Sequence, residues 1–442
     1  MKKFLPFLVI LLTAATCKEK EKPVTGPDDN GSTANVPAET VGQPLSAWTA
    51  GTLDIHFINT TTGECTFIIF PDGTQMLVDA AGSTAATGPV GSTSNVGIRA
   101  RWDPTNDSSF SAGKYIAGYV KECMGQTGND RLDYFVMTHF HADHMGGIPE
   151  VLDLVPTGVM LDRGWPDYNY PFDMQTKASN AALIKKYVTA VKNHVSKDGM
   201  KAAMFEAGSS SQISMTRDAA SYPTFKVQNI AVNGEIWNGS GTTTATATFP
   251  ELKDIVVANP KSIGNSDNCP EENHCTTVFK LSYGLFDFFH GGDAQYDGCS
   301  TFVWKDMETA VAKTCGAVDV MKADHHGVGN TNGFGYKAKN GHLCEAMKYL
   351  NPRCWIVNSW TDGHPRQATY EGVTGLLPGT DIFITNSCDA MKSYANFNQV
   401  KGRDGHVVVR VFPGGDKYCI YTLTDTSGKG PVKTVSGPYK SR

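Results

Sequence analysis

The sequence predicts an α/β fold in which two mixed sheets are sandwiched between helical layers, an αββα arrangement. Three observations predict it. Strand-like runs ended by turn residues occur in both halves of the chain, helical stretches interleave with them, and no internal repeat is evident. The 442 residues are 40% hydrophobic and 19% charged, enough to bury one large core or two ordinary ones. The formal net charge of −5 argues against a protein built to grip nucleic acid through a basic footprint.

At the start, "MKKFLPFLVILLTAATCKEKEK" carries a basic pair and an apolar run of about a dozen residues ending in small ones. Residues 1–16 read as a signal peptide, since the run falls short of the ~20 apolar residues that a spanning helix needs. Cys17 resembles the lipid-modified cysteine of bacterial lipoproteins, although Ala14 and Thr16 stand where such signals carry Leu and Gly, Ala or Ser. That resemblance implies an exported chain, held in the periplasm or at the cell surface as a membrane-anchored lipoprotein; simple secretion is the alternative. No other stretch is long and apolar enough to cross a membrane. Eleven cysteines less Cys17 leave ten, which an oxidising compartment permits to pair, and Cys269 and Cys275 close a short loop. No C-x-x-C occurs, which weakens a zinc-thiolate reading.

Residues 17–50 are rich in Pro, Gly, Thr and charge and read as a flexible tether. A folded domain is expected over 51–422. "LDIHFIN" alternates, and "CTFIIF" and "QMLVDAAG" around "PDG" form a hairpin. Residues 83–110 read as a long surface loop, "AGKYIAGYVKECMG" as a helix and "LDYFVM" as a strand. "IPEVLDLV" is helical, and "NAALIKKYVTAVKNHVSKDGM" spaces Leu183, Ile184, Tyr187, Val188 and Val191 at helical intervals up to Gly199. "FKVQNIAVNGEIW", "TVFKLSYGLFDFFHGGDA", "AVDVMKADHHGV", "RCWIVNSW", "DIFITNS" and "HVVVRVF" are strand-like, with helices around 303–314 and 343–349. Residues 160–270 are expected to be an insertion forming one wall of a substrate cleft. Tyr and Trp of its "RGWPDYNYPF" are placed either to stack on a substrate or to pack. Residues 423–442 read as a loose tail.

The chemistry concentrates in "THFHADHMGG", which sets His139, His141, Asp143 and His144 at a strand end. Alternate residues of an extended segment point the same way, so His139 and His141 share one direction while Asp143 and His144 face a neighbouring point. That arrangement suits two metal ions held by imidazoles and a carboxylate. A purely structural cluster would leave some of these crowded polar groups unpaired. His56, His194, His342 and His406 sit in segments that ordinary folding explains, and His290 reads as structural.

The H-x-H-x-D-H stretch with its Gly pair resembles the signature of the metallo-β-lactamase superfamily, and the likeness runs from about 53 to 412. It is nearest the soluble hydrolase domain of bacterial DNA-uptake (competence) proteins and the phosphorylcholine esterases. "LDIHFINTTTGECTFIIFPDGTQMLVDAAG" resembles that branch's opening, with "TTGE" in place of its "GQGD", so that Glu64 stands for an aspartate. The resemblance implies two Zn2+ ions, with Mn2+ or Fe as alternatives. His139, His141 and His274 would hold the first ion. Asp143, His144 and His325 would hold the second, Asp293 of "FFHGGDAQ" would bridge them, and Asp79 would buttress them from behind. His326 of "MKADHHGV" would face substrate or support a ligand. In "SWTDGHPRQATY", His364 would donate a proton to a phosphate oxygen or leaving group, and Arg366 would neutralise phosphate charge. Two such ions sharing a hydroxide lower the pKa of water from ~15.7 to around 7.

The implied activity is that of a metal-dependent hydrolase acting on a small-molecule or cell-envelope phosphoester or phosphodiester. The absence of G-x-S-x-G and of a P-loop removes the common serine-hydrolase and nucleotide-triphosphatase readings. The other readings are a lactam or thioester hydrolase, a DNA-scavenging nuclease that the acidic balance disfavours, and a surface binding protein without activity. Bound metal separates the last from the rest.

Overall fold

The computed structural model describes residues 39–82, 111–241, 245–255, 259–263, 267–296, 301–328, 332–338, 341–359, 363–425 and 429–442. These fall within the unit Ala38–Arg442. The signal segment 1–16 and Cys17 lie outside the described residues, as does the loop 83–110.

The first sheet is built from β1 (Leu53–Phe57), β2 (Thr66–Ile69), β3 (Gln75–Val78), β4 (Leu132–Val136), β5 (Thr157–Asp162) and β6 (Lys201–Met204), joined late in the chain by β18 (His406–Val411), β19 (Lys417–Leu423) and β20 (Val432–Lys440). Its order is β20-β19-β18-β1-β2-β3-β4-β5-β6, antiparallel as far as β3 and parallel beyond it. The second comprises β7 (Lys226–Val232), β8 (Glu235–Trp237), β9 (Ala245–Ala247), β10 (Val278–Tyr283), β11 (Phe286–His290), β12 (Val320–Lys322), β15 (Cys354–Val357), β16 (Asp381–Ile384) and β17 (Gly402–Arg403). It runs β17-β16-β15-β12-β11-β10-β7-β8-β9, parallel from β17 to β11 and antiparallel from there to β9. A small hairpin, β13 (Tyr336–Lys337) and β14 (Leu343–Cys344), stands apart from both.

Alternation explains the layers. Leu53, Ile55 and Phe57 of β1 meet Phe279, Leu281, Phe286 and Phe288 of the other sheet in a shared core. The opposite face of the first sheet carries Phe67, Ile69, Leu77 and Phe135. They are covered by α1 (Ala112–Met124), the one-turn α2 (Ala142–Met145), α3 (Ile148–Leu154), the short α4 (Met174–Lys177) and α5 (Ala181–Lys197). In α5, Ile184, Tyr187, Val188 and Val191 form the buried stripe, and the helix stops before Gly199 at φ +69°. On the outside of the second sheet, α6 (Met307–Cys315), α7 (Ala346–Leu350) and α8 (Gln367–Leu376) cover Met321, Trp355 and Ile384. The result is an αββα sandwich.

Several expectations need correction. Within residues 39–50, Leu45 and Trp48 are buried, and Gly42 N–H donates to Val432 O at 2.8 Å. The stretch 17–50 is therefore not a tether throughout. The tail is not loose either. Residues 432–440 pair with β19, and Tyr439 stacks on Tyr418 at 5.1 Å, so an edge that would otherwise be open is covered. The span 160–270 is not a single insertion, because β6 and α5 complete the first sheet and its helical layer and β7 to β9 belong to the second. Within 343–349 the first two residues pair as β14 rather than continuing α7. Cys269 and Cys275 are not bonded; all nine cysteines among the described residues are buried free thiols.

Candidate metal centre

In each sheet the functional loops leave the carboxyl ends of the two strands at which antiparallel pairing gives way to parallel pairing, a usual place for ligands in α/β sheets. Asp79 follows β3 and the histidine stretch follows β4, while Asp293 follows β11 and the His pair follows β12.

Asp79 lies in the left-handed region at φ +56°. Its carboxylate accepts from Thr138 N–H at 2.7 Å, from Thr138 Oγ1 at 2.7 Å and from His144 Nδ1 at 2.7 Å. One side chain thus holds both ends of the loop. His139 is fully buried in the extended part, and Asp143 and His144 occupy the single turn of α2. The crossing backbone leaves no space for side chains here: a Cβ on Gly146 would sit 2.6 Å from Ala142 O and 2.9 Å from Gly82 O, and one on Gly147 would sit 2.6 Å from Ala81 O. That is the reason for the Gly pair after His144.

On the opposite sheet, Lys322 Nζ donates to Gly292 O at 2.6 Å and stands 3.6 Å from Asp293 Oδ1. The same ammonium lies 3.3 Å from Glu64 Oε2. Burial works against charge on Glu64, yet Lys322 and His290 hold its carboxyl at about 2. His325 and His326 both adopt left-handed backbone, φ +46° and +52°, so consecutive imidazoles turn in different directions.

The donors converge on one oxygen. His144 Nε2 is 3.0 Å from Asp293 Oδ2, 3.2 Å from His326 Nε2 and 3.6 Å from Asp143 Oδ2. His326 Nε2 is 3.2 Å from Asp143 Oδ2 and 3.6 Å from Asp293 Oδ2. One atom from each of these four residues lies within 4.8 Å of the others. His139 Nε2 and His325 Nε2 each approach Asp293 Oδ2 at 3.8 Å, and His141 Nδ1 lies 3.1 Å from His139 Nε2.

The donor set fits a cation. His144 gives its Nδ1 to Asp79, and His326 gives its Nδ1 to the Asn358 carbonyl at 3.1 Å. In the neutral tautomers those bonds imply, two Nε2 lone pairs face one another beside two carboxylates, an arrangement that positive charge between them stabilises. Burial opposes a charged His144, but Asp293, Asp143 and Asp79 hold its pKa well above the ordinary histidine range. Asp293 Oδ1 is buried without a hydrogen-bond partner.

Two of the residues assigned from sequence lie elsewhere in this arrangement. His326, not His325, joins Asp143, His144 and Asp293. His325 is turned to Asn273, whose Nδ2 lies 3.3 Å from its Nδ1 and 3.2 Å from its Nε2. His274 is not one of the four donors that meet, and its Nε2 is buried without a hydrogen-bond partner. It is the third residue of a 3-10 turn, and its Nδ1 accepts from Glu271 N–H at 3.1 Å in a capping box. Burial first, then the charges of Lys305 and His325, hold its imidazole down at about 3.

A cavity of about 350 Å³ opens beside His141 and His325, walled by Phe172, Asn180, Lys261 and Asn273. Neither His364 nor Arg366 lines it. His364 is buried ahead of Pro365, which packs where a side chain on Gly327 would be, and Arg366 is exposed at the start of α8. Tyr168 donates to Asp162 at 2.9 Å inside the core, so it packs rather than stacks on substrate.

Arg163, Glu272 and Lys322 also shape the site, outside the set of residues assigned from sequence. Glu272 accepts from Arg163 Nε at 2.7 Å and from Phe140 N–H at 2.6 Å, tying the histidine loop to the loop before β10. Nothing in "RGWPDYNYPF" marks Arg163 for this role, whereas a lysine inside the apolar run "VMKA" was a readable sign.

No protein-family model matches the chain. Over 53 residues it is 38% identical to the metallo-beta-lactamase fold-containing protein ST1585 of Sulfurisphaera tokodaii, a match covering 12% of this chain and about a fifth (20%) of that protein's length. Among solved structures, a mutant of the CmlA beta-hydroxylase is similar at TM-score 0.35 and 12% identity, over 81% of this chain and 54% of that one. A diphosphatase from the PhnP family is similar at TM-score 0.28 and 11% identity, over 76% and 85%.

Proposed function

We propose from its donor set that the chain, an αββα sandwich of the metallo-β-lactamase kind, is a metal-dependent hydrolase of phosphoesters or phosphodiesters. The observation that carries this reading is the meeting of Asp143, His144, Asp293 and His326, with His139 and His325 approaching the same Asp293 oxygen. His139, His141, Asp143, His144, Asp293 and His326 are the residues to hold two zinc ions, or manganese or iron in their place. His325 stands beside them in place of His274. Bound there, the ions supply a more acidic water and take up charge that develops on the attacked group.

The chain's own residues supply position. Asp79 fixes the His144 ring, Lys322 fixes Asp293, and the Arg163–Glu272 pair fixes the loop between His139 and His141. At the cavity, Asn273 and Lys261 can donate to an anionic substrate beside His141 and His325, which supports a phosphoester over a neutral thioester. We further propose that the chain acts outside the cytoplasm, anchored through Cys17 and reaching small-molecule or cell-envelope phosphoesters. The N-terminal sequence supports this.

The test is metal analysis with turnover of bis-p-nitrophenyl phosphate, then of a panel of phosphodiesters, lactams and thioesters. About two ions per chain are expected in the donor set above, and chelator should abolish turnover. His326→Ala should lose metal and activity, whereas His274→Ala should keep both. A protein that binds no metal at these residues and turns over nothing would be a binding protein on the same fold. Lactam or thioester turnover alone would replace the substrate class. For the anchor, Cys17→Ala should abolish labelling by radioactive palmitate; unchanged labelling removes that proposal.

A further inference from the structure

A second convergence of metal-ligating chemistry lies away from this centre, at the foot of α6. Asp306 caps the helix, its Oδ1 accepting from Thr309 N–H at 2.9 Å. Its other oxygen, Oδ2, faces His342 Nε2 at 2.7 Å. Cys344, two residues beyond His342 on β14, is fully buried and directs its thiol to the same carboxylate. The three donor atoms lie within 4.8 Å of one another. His342, assigned from sequence to ordinary folding, therefore has two ligand-type partners. The missing C-x-x-C is also no bar to a thiolate site, because the thiol's partners come from other residue types.

A further carboxyl lies near Cys344. Glu308, two residues after Asp306, is fully buried, and its Oε2 has no hydrogen-bond partner. Burial and the neighbouring Asp324 and Asp306 carboxylates push its pKa well above the usual range. Burial, then Asp306 and Glu308, likewise push up the Cys344 thiol. Cys344 packs with Tyr296 and Ala338 while its thiol meets the Asp306 carboxylate.

We propose that Asp306, His342 and Cys344 form a third zinc site, structural rather than catalytic. Thiolate, imidazole and carboxylate together suit zinc, and donors around a tetrahedral ion stand about 3.3–3.8 Å apart. The 2.7 Å His342–Asp306 contact would open by roughly half an ångström on binding. The ion would fasten the β13–β14 hairpin to α6. Binding releases the Cys344 proton to solvent, with no redox step.

The full-length protein is stripped of metal and reloaded with Co2+. The main centre has no sulfur donor, so a thiolate-to-cobalt charge-transfer band in the near ultraviolet reports on this site alone. Expected are the band in the wild type and in Asp293→Asn, its loss in Cys344→Ser, and one fewer zinc per chain in Cys344→Ser with hydrolysis unchanged. His342→Gln, at the solvent rim, must also remove one zinc equivalent and serves if the buried serine prevents folding. A wild type without the band, or a band that survives Cys344→Ser, overturns the site. Failure of the hydrolase reading would show differently, as absent turnover with the band intact.

Discussion

Asp79 spends its whole carboxylate on Thr138 and His144, so it sets both the path of the loop and the tautomer of a donor ring. Asp79→Asn should lower metal affinity about 10–100-fold while leaving the ligands in place, measurable by competition with a chromophoric chelator. A second residue-scale prediction concerns Asp319, where burial is the first cause of a carboxyl raised to about 6. Its folded pKa exceeds the unfolded value, so the folded state holds the proton more tightly and the ionised form is disfavoured. Stability should fall as pH rises from about 4 to about 6 and stay lowered above that window. Asp319→Asn should flatten this dependence and stabilise the protein at pH 7 by on the order of 1–3 kcal/mol, read from urea midpoints. His139, His141, Asp143 and His144 were legible because four ligand-type residues within one short stretch make one pattern. His326 over His325 was not, because left-handed backbone at both residues decides which ring turns inward, and sequence does not display φ.

Between elements, the Arg163–Glu272 pair joins the end of β5 to the turn before β10 across the mouth of the site. Arg163 is fully buried, with its guanidinium 4.5 Å from the Phe140 ring centroid. Removing either partner strands a charge and should cost about 3–5 kcal/mol, whereas the double variant Arg163→Met with Glu272→Leu should cost less than the sum. Chemical denaturation of the four proteins measures the coupling. At this scale most strands were readable, because alternation in "LDIHFIN" and the Asn-Gly turn at 233–234 each carry a local cause. The strand at 432–440 was hidden by Gly, Pro, Ser and Lys. It is held by the neighbouring edge and the Tyr418 stack more than by its own composition.

Over the whole molecule, Asp143 and His144 belong to one sheet and Asp293 and His326 to the other. An ion between them is a ligand of the folded state alone, since the unfolded chain separates His144 from His326 by 182 positions. Chelator should therefore lower Tm, by an amount equivalent to about 4 kcal/mol where free metal had stood at 1,000 times Kd. Calorimetry against metal concentration checks it, and an unchanged Tm would mean no tight site.

The nine thiols carry a consequence for how the chain fails under stress. Each is shielded from oxidants and from its fellows only while the packing around it lasts. Heating in aerated buffer should release them to cross-link at random, so that activity does not return on cooling. The same cycle run with a mild reductant should be recoverable, making durability in an oxidising milieu a matter of how seldom the structure opens.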